Sequence, residues 1–325
     1  MHGNSLVTSR GVRALTTPTV ALLGALLTAS IPAPVMRAQA TSAAPVFRSG
    51  VDVVPVAAVV RDRRGQVVRD LVVEDFEVFD NGERRRIVSF ARGDDGPISL
   101  ALLVDVSGSM KVDVHRASAR RVVDQLLASL RTNDEVALLT FDKGLSVEQD
   151  FTSDWARIRE ALDEVEPFGS TSLYDAIAET AGQLERERTG RRAIVVVTDG
   201  LDNASRMQPA DVSGIASRSD VPVYVLAVVS ALDVPGTNAG TVGSQATGQL
   251  KNLAWWTGGD AFVVSSPAQM SVASRAVLSE LRHQYVLAIE SAGDAGWRPL
   301  DIKTRRRELQ VRARSGYFAM PRRLG

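Results

Sequence analysis

The 325-residue chain contains no cysteine. That absence excludes disulfide cross-links, thiolate metal centres and anchorage through a lipid-modified cysteine. Histidine is almost as scarce, occurring only as His2, His115 and His283. A hydrolase relying on an imidazole base therefore has few possible placements. His115 follows Ser109 by less than two helical turns, so a Ser-His pairing with Asp199 can be drawn. No Gly-x-Ser-x-Gly elbow surrounds Ser107 or Ser109, however, and nothing supplies a general base beside Asp105 and Asp199 for metal-assisted hydrolysis. His115 and His283 read instead as surface or helix-terminal residues. The Gly-x4-Gly-Lys-Ser/Thr phosphate loop is missing as well. Charge of one sign is lacking too: 38 basic residues face 38 acidic ones, without the basic excess of a nucleic-acid binder. Arginine clusters at Arg61 to Arg64, Arg84 to Arg86 and Arg305 to Arg307 read as solvated turns or edge-strand protection rather than a phosphate patch.

Long apolar runs are confined to the start. Arg10 and Arg13 precede an apolar stretch from about Val20 to Ile31, and Ala38-Gln39-Ala40 offers small residues at a cleavage position. Residues 1–40 thus read as a secretory signal peptide, which predicts an exported protein, periplasmic or extracellular after cleavage. An uncleaved N-terminal anchor is the alternative, although the apolar core is shorter than the ~20 residues of a comfortable span. No other segment is apolar enough to cross a membrane, so no span is expected in the mature chain. Export without cysteine suits a bacterial envelope protein.

What is present begins with Ile98-Ser-Leu-Ala-Leu-Leu-Val-Asp105-Val-Ser107-Gly108-Ser109-Met110. The continuous aliphatic run from Ile98 to Val104 predicts a strand buried on both faces of a parallel sheet. Asp105 then falls at its carboxyl end, the edge where open α/β sheets bind ligands. Asp105, Ser107 and Ser109 place three oxygen donors within one turn, and hard cations such as Mg2+ want oxygen. Asp and Ser also crowd turns for unrelated reasons, so the motif alone leaves a structural turn open. Two later segments add donors. Phe168-Gly169-Ser170-Thr171-Ser172-Leu173-Tyr174-Asp175-Ala176 opens an amphipathic helix, and Ala193-Ile-Val-Val-Val-Thr198-Asp199-Gly200 repeats the pattern of apolar strand followed by Asp.

Together these segments resemble the von Willebrand factor A domain family over roughly residues 96 to 283. The Asp105/Ser107/Ser109 turn, Thr171 in its glycine-serine loop and Asp199 before Gly200 match, in order, that family's metal-ion-dependent adhesion site. The resemblance implies a Mg2+ or Mn2+ ion held directly by the two serines and the threonine, with the aspartates reaching it directly or through water. Three neutral hydroxyls and at most two carboxylates leave a dication incompletely neutralised, and Mg2+ asks for six ligands in near-octahedral geometry. A position therefore stays open to water or to a carboxylate from a partner. The scarcity of carboxylates favours Mg2+ or Mn2+ over Ca2+.

Length alone suggests two domains. Within residues 96–283, strands and helices are expected to alternate: Val112 to Leu130 helix, Glu135 to Phe141 strand, Ser172 to Glu187 helix, Ala193 to Thr198 strand, Pro209 to Ser219 helix and Val221 to Val229 strand. A Gly/Thr/Ser-rich stretch from Ala231 to Gly248 reads as a surface loop near the metal face. Trp255 and Trp256, beside Gly258-Gly259, read as helix-end packing rather than an exposed recognition patch. The flanks look different. Val51 to Val60 is valine-rich, Arg63-Arg-Gly65-Gln is a turn candidate, and Asn81-Gly82 between apolar runs is a strong hairpin signal. Tyr285/Leu287/Ile289, Leu300/Ile302 and Leu309/Val311/Ala313 alternate with polar neighbours, the period of half-buried strands.

Neither flank has enough strands for its own core. The expected fold is therefore α/β, a doubly wound, mainly parallel sheet over 96–283 inserted into a smaller all-β sandwich built jointly by residues 46–92 and 284–319. A weaker likeness to secreted bacterial members of the family lies in Leu71-Val-Val-Glu-Asp75-Phe76-Glu-Val78 and Ser315-Gly316-Tyr317-Phe318. The function expected is a non-enzymatic adhesion or scaffolding module that recognises an Asp or Glu of a protein partner through Mg2+ or Mn2+. The alternatives are a structural envelope protein whose metal serves only stability, and a Mg2+-dependent hydrolase.

Overall fold

A computed structural model describes residues 53–93, 96–111, 113–187, 190–229, 248–291 and 295–319. The expected export segment 1–40 and the loop residues 231–247 lie outside these residues. In chain order the first strands are β1 (Val53–Arg61), β2 (Phe76–Asp80), β3 (Glu83–Arg85), β4 (Ile87–Arg92) and β5 (Ile98–Asp105). There follow α1 (Asp113–Leu127), β6 (Glu135–Phe141), β7 (Leu145–Thr152), α2 (Trp155–Glu164), α3 (Leu173–Glu187) and β8 (Arg191–Thr198). Next come α4 (Pro209–Arg218), β9 (Val223–Val228), the helical residues 248–256 (α5), β10 (Ala261–Val264) and α6 (Pro267–Arg282). The chain closes with β11 (Tyr285–Glu290), β12 (Gly296–Thr304), β13 (Gln310–Ala313) and β14 (Gly316–Ala319).

The central sheet has six strands in the order β10-β9-β8-β5-β6-β7, parallel except for the edge strand β7. Alternation along β5 divides its side chains between two cores. Ile98, Leu100, Leu102 and Val104 pack with apolar residues of α1, α2 and α6, whereas Ala101 and Leu103 pack with those of α3, α4 and α5. Burial on both faces explains why β5, β8 and β9 are continuous aliphatic runs. Helix starts carry local signals: Asp154 accepts the Ala156 amide at 3.0 Å ahead of α2, and Ser266 with Pro267 opens α6. The β7–α2 pair is an addition to the sequence reading. β7, Leu-Ser-Val-Glu-Gln-Asp-Phe-Thr, is an edge strand with mostly half-buried or exposed side chains, so it lacks the aliphatic run that marks its neighbours.

The flanks build two further four-stranded antiparallel sheets, β13-β1-β11-β4 and β14-β12-β2-β3. Each draws strands from both ends of the chain. Val56, Ala58 and Val60 of β1, Leu287 and Ile289 of β11, Val78 of β2 and Ile302 of β12 share one core, which makes the two sheets a sandwich. Phe76, Phe90 and Tyr285 cluster inside it, with ring centroids 5.1 to 5.9 Å apart. The Tyr285 hydroxyl accepts the Leu71 amide at 3.1 Å and donates to the Val68 carbonyl at 2.9 Å, leaving no polar atom of that ring unsatisfied in the core. Asn81 and Gly82 link β2 to β3 with φ of 52° and 80°, the doubly positive turn that suits the twist of a hairpin.

The described residues belong to one compact unit, and buried ion pairs cross from the α/β layers to the sandwich. Glu280, fully buried near the end of α6, accepts from Arg61 of β1 and Arg312 of β13, and Arg312 also donates to Asp260 at 2.6 Å. Arg314 donates to the Ser217 carbonyl at 2.6 Å and to the Pro55 carbonyl. Arg61 thus departs from the solvated reading of its cluster, because its guanidinium reaches inward to a buried acid. In the other clusters Arg84 and Arg306 do sit among exposed ion pairs, while Arg85 pairs with buried Asp80. Trp255 and Trp256 end α5 as expected. Their side chains, however, are 46% and 37% exposed rather than packed away, and the bonds made there are those of the Trp256 carbonyl, which accepts from Ser315 N and Ser217 Oγ.

Candidate functional site

The strand order fixes where the crevice lies. β6 follows β5 on one side, whereas β8 joins β5 on the other, so the winding reverses between β5 and β8. Such a reversal opens a cleft at the carboxyl ends of the strands. Asp105 is the last residue of β5, and Asp199 is the first after β8. Pairing of Val104 with Val197 keeps the two strand ends level. Both carboxylates are therefore delivered to one cleft by backbone register.

Asp105 is 1% exposed. Its Oδ1 accepts the Ser107 amide at 2.9 Å and its Oδ2 accepts the Thr198 hydroxyl at 2.6 Å. The Ser107 and Ser109 hydroxyl oxygens lie 3.0 Å apart. Thr171, also buried, stands on a separate loop that is stitched to this turn: Phe168 N donates to Val106 O at 2.7 Å and Gly108 N to Gly169 O at 2.9 Å. Gly169 has φ +92°, and a Cβ there would meet Asp142 Oδ2 at 2.9 Å, so this loop needs glycine to lie where it does. Asp199 is half-buried and accepts the Leu201 amide at 3.3 Å.

Burial pushes the Asp105 carboxyl up to about 6, against the lowering effect of the Thr198 and Ser107 hydrogen bonds, and the neighbouring Asp199 charge raises it further. Among the described residues no ion pair reaches Asp105. A buried carboxylate beside a second carboxylate, with only neutral donors around it, is an electrostatic deficit that a cation would correct. The donor set of hydroxyls and carboxylates fits a hard dication such as Mg2+ or Mn2+, and offers no soft ligand.

Sequence reading missed the residues that hold these donors in place. Thr198 is one; its hydroxyl bridges the Asp105 carboxylate and the Gly200 amide, 3.1 Å away. Asn203 Oδ1 accepts the Thr171 amide at 2.9 Å, and the Thr171 carbonyl accepts the amides of Asn203 and Ala204. Asp202 and Ser205 take the Tyr174 amide at the start of α3, and Asp175 takes those of Arg206 and Met207. The segment after β8 is thereby wrapped around the amino end of α3. Its Asp-Asn-x-Ser composition was the available signal, since such residues bind nearby amides in turns. Of the histidines, His283 caps α6 with Nδ1 2.7 Å from the Ser279 carbonyl, and His115 lies in the first turn of α1.

The chain thus has a Rossmann-like α/β fold with a mixed sheet, accompanied by a β-rich sandwich. Residues 100–201 match the family of von Willebrand factor type A domains, a span that includes all the candidate metal ligands. Similar solved structures include BatB, a conserved hypothetical protein from Bacteroides thetaiotaomicron, at 19% identity over 57% of this chain and 98% of that one, with a TM-score of 0.45. An aerotolerance-related membrane protein from Bacteroides fragilis matches at 20% identity over 57% of this chain and 98% of its own, with a TM-score of 0.47. A von Willebrand factor type A protein from Catenulispora acidiphila matches at 12% identity over 83% and 73%, with a TM-score of 0.46. No curated protein matches the chain. Among the described residues, no helix is long and apolar enough to cross a membrane.

Proposed function

We propose that this is an exported, non-enzymatic protein-binding module that captures an Asp or Glu of its partner through a Mg2+ or Mn2+ ion. Ser107, Ser109 and Thr171 would hold the ion, with Asp105 and Asp199 supplying negative charge directly or through water. When bound, the ion supplies a Lewis-acidic position for a partner carboxylate. The observation that supports this reading is the uncompensated burial of Asp105 next to Asp199 at the β5/β8 crevice, with two serine hydroxyls 3.0 Å apart on the adjoining turn. The residues themselves do three things. Ser107 N and Thr198 orient the Asp105 carboxylate, Asn203 holds the Thr171 loop, and the Phe168 and Gly108 amides stitch that loop to the Asp105 turn.

Calorimetric titration of Mg2+ and Mn2+, beside an Asp105→Ala variant of matched thermal stability, tests the metal. One-site binding that is lost in the variant is expected; no binding by the wild-type protein would overturn the reading. Capture of a partner that is abolished by chelator and by Ser107→Ala, with folding intact, separates a recognition site from one that serves stability only.

A further inference from the structure

The rim of the β5/β8 cleft has a composition that the metal reading alone does not require. Phe168 is 70% exposed, an unusual position for a phenyl ring, and it flanks the Asp105 turn through its amide bond to Val106 O. The Lys111 ammonium sits 5.0 Å from the Phe168 ring centroid. Across the cleft, Leu201 is exposed two residues beyond Asp199, its amide bonded to the Asp199 carboxylate, and Met207 is exposed on the same segment. The charges around the rim sort by direction. Asp175 and Asp202 point inward to backbone amides, whereas the Lys111 and Arg206 side chains stand in solvent. Outward, Phe168 with Lys111 and Leu201 with Arg206 give each side of the rim an apolar and a cationic side chain, while the carboxylate of Glu166 is also exposed two residues before Phe168.

We infer that the partner segment docking here carries its acidic residue directly beside a bulky aliphatic or aromatic residue, which Phe168 and Leu201 bury while Lys111 and Arg206 attract the surrounding negative charge. This rests on the metal reading for the acidic residue, and on the rim alone for its neighbour. A lone exposed leucine needs no partner, but exposed apolar side chains beside the ends of both β5 and β8, each with a cation close by in the chain, form a patch that selects complementary chemistry. Phe168 supplies a flat, rigid surface at little entropic cost. The Lys111 ammonium over its ring adds a cation–π contact at the rim.

The probes are capped peptides in a Gly/Ser background carrying Asp-Leu, Asp-Ser or Asn-Leu, titrated into the isotopically labelled protein in saturating Mg2+ and followed by NMR. Asp-Leu is expected to bind roughly tenfold more tightly than Asp-Ser, the effect of burying most of one leucine side chain. Phe168→Ser, a substitution at a solvent-exposed ring, is expected to reduce that ratio, and Phe168→Ser with Leu201→Ser to bring it close to one. Equal binding of Asp-Leu and Asp-Ser by the wild-type protein, or a leucine preference that survives the Phe168→Ser/Leu201→Ser double substitution, overturns the inference. So does the absence of binding by either peptide when calorimetry shows Mg2+ bound. EDTA and Ser107→Ala report on the metal separately. A Phe168-dependent leucine preference that persists in EDTA upholds the rim and removes the metal.

Discussion

Thr198 Oγ1 donates a 2.6 Å hydrogen bond to Asp105 Oδ2 across the boundary between β8 and β5. The same oxygen accepts the Gly200 amide at 3.1 Å, so one hydroxyl ties the end of one strand, the carboxylate of the next and the turn that carries Asp199. The candidate site is held by a residue that is not one of its ligands.

Thr198→Val keeps the shape of this side chain and removes its polarity. A buried acceptor and a buried amide then both lose their partner, a cost of roughly 1–3 kcal/mol. Urea unfolding should show that loss, and Mg2+ titration should show weaker binding than in the wild type, because the Asp105 carboxylate is free to rotate. Undiminished Mg2+ affinity would mean that Asp105 is positioned by its Ser107 amide bond alone.

Stability of the metal-free protein should depend on pH through Asp105. Its carboxyl is raised from 3.8 to about 6 by burial, so between those values the folded state binds more protons than the unfolded state. The stabilisation is complete below about pH 4 and is lost as pH rises through 6, amounting to as much as ~3 kcal/mol. Asp105→Asn should remove this contribution and be the more stable protein at pH 7 in EDTA. Parallel stability curves for the two proteins between pH 4 and 7 would contradict the assignment. Mg2+, which requires the deprotonated carboxylate, should bind more tightly as pH rises through the same window.

Glu280 is fully buried between two guanidiniums, those of Arg61 and Arg312. Glu280→Ala leaves Arg61 without its buried acid and Arg312 with Asp260 alone at the boundary between the α/β layers and the sandwich, which should destabilise the protein by ~3–5 kcal/mol. The surface pair Arg159–Asp124, at 2.8 Å but half in solvent, is the control. Asp124→Ala should cost under ~1 kcal/mol. Equal effects of the two substitutions in thermal unfolding would show that burial is not what matters.

Gly82 has φ +80° and open space around its Cβ position. Gly82→Ala therefore reports backbone strain without a clash and should cost about 1 kcal/mol. A larger loss, read by chemical denaturation, would mean that the β2–β3 hairpin loses its register as well.

Much of this was legible along the chain. β5, β8 and β9 announce themselves as aliphatic runs because both faces of a central parallel strand are dry. Asp105, Ser107, Ser109, Thr171 and Asp199 could be named because the segments that carry them match, in order, the metal site of the family they resemble. β7 escaped because an edge strand exposed to water carries no aliphatic signature. Thr198 escaped for another reason. A threonine ending a buried strand is ordinary, and only the alignment of β8 with β5 shows that its hydroxyl meets a carboxylate 93 residues away.

The sequence by itself determined the alternation of strands and helices, the turns at Asp105 and Asn81-Gly82, and the strand character of both flanks, because these depend on periodicities and dihedral preferences within a few residues. Tertiary structure decided the rest. The winding reversal at β5/β8 brings Asp105 to Asp199, pairing across the whole length of the chain makes one sandwich of β1 and β11, and burial pushes the Asp105 carboxyl up to about 6. Each of these depends on what surrounds a residue in three dimensions, and solvent exclusion is a property of the packed layers rather than of any segment.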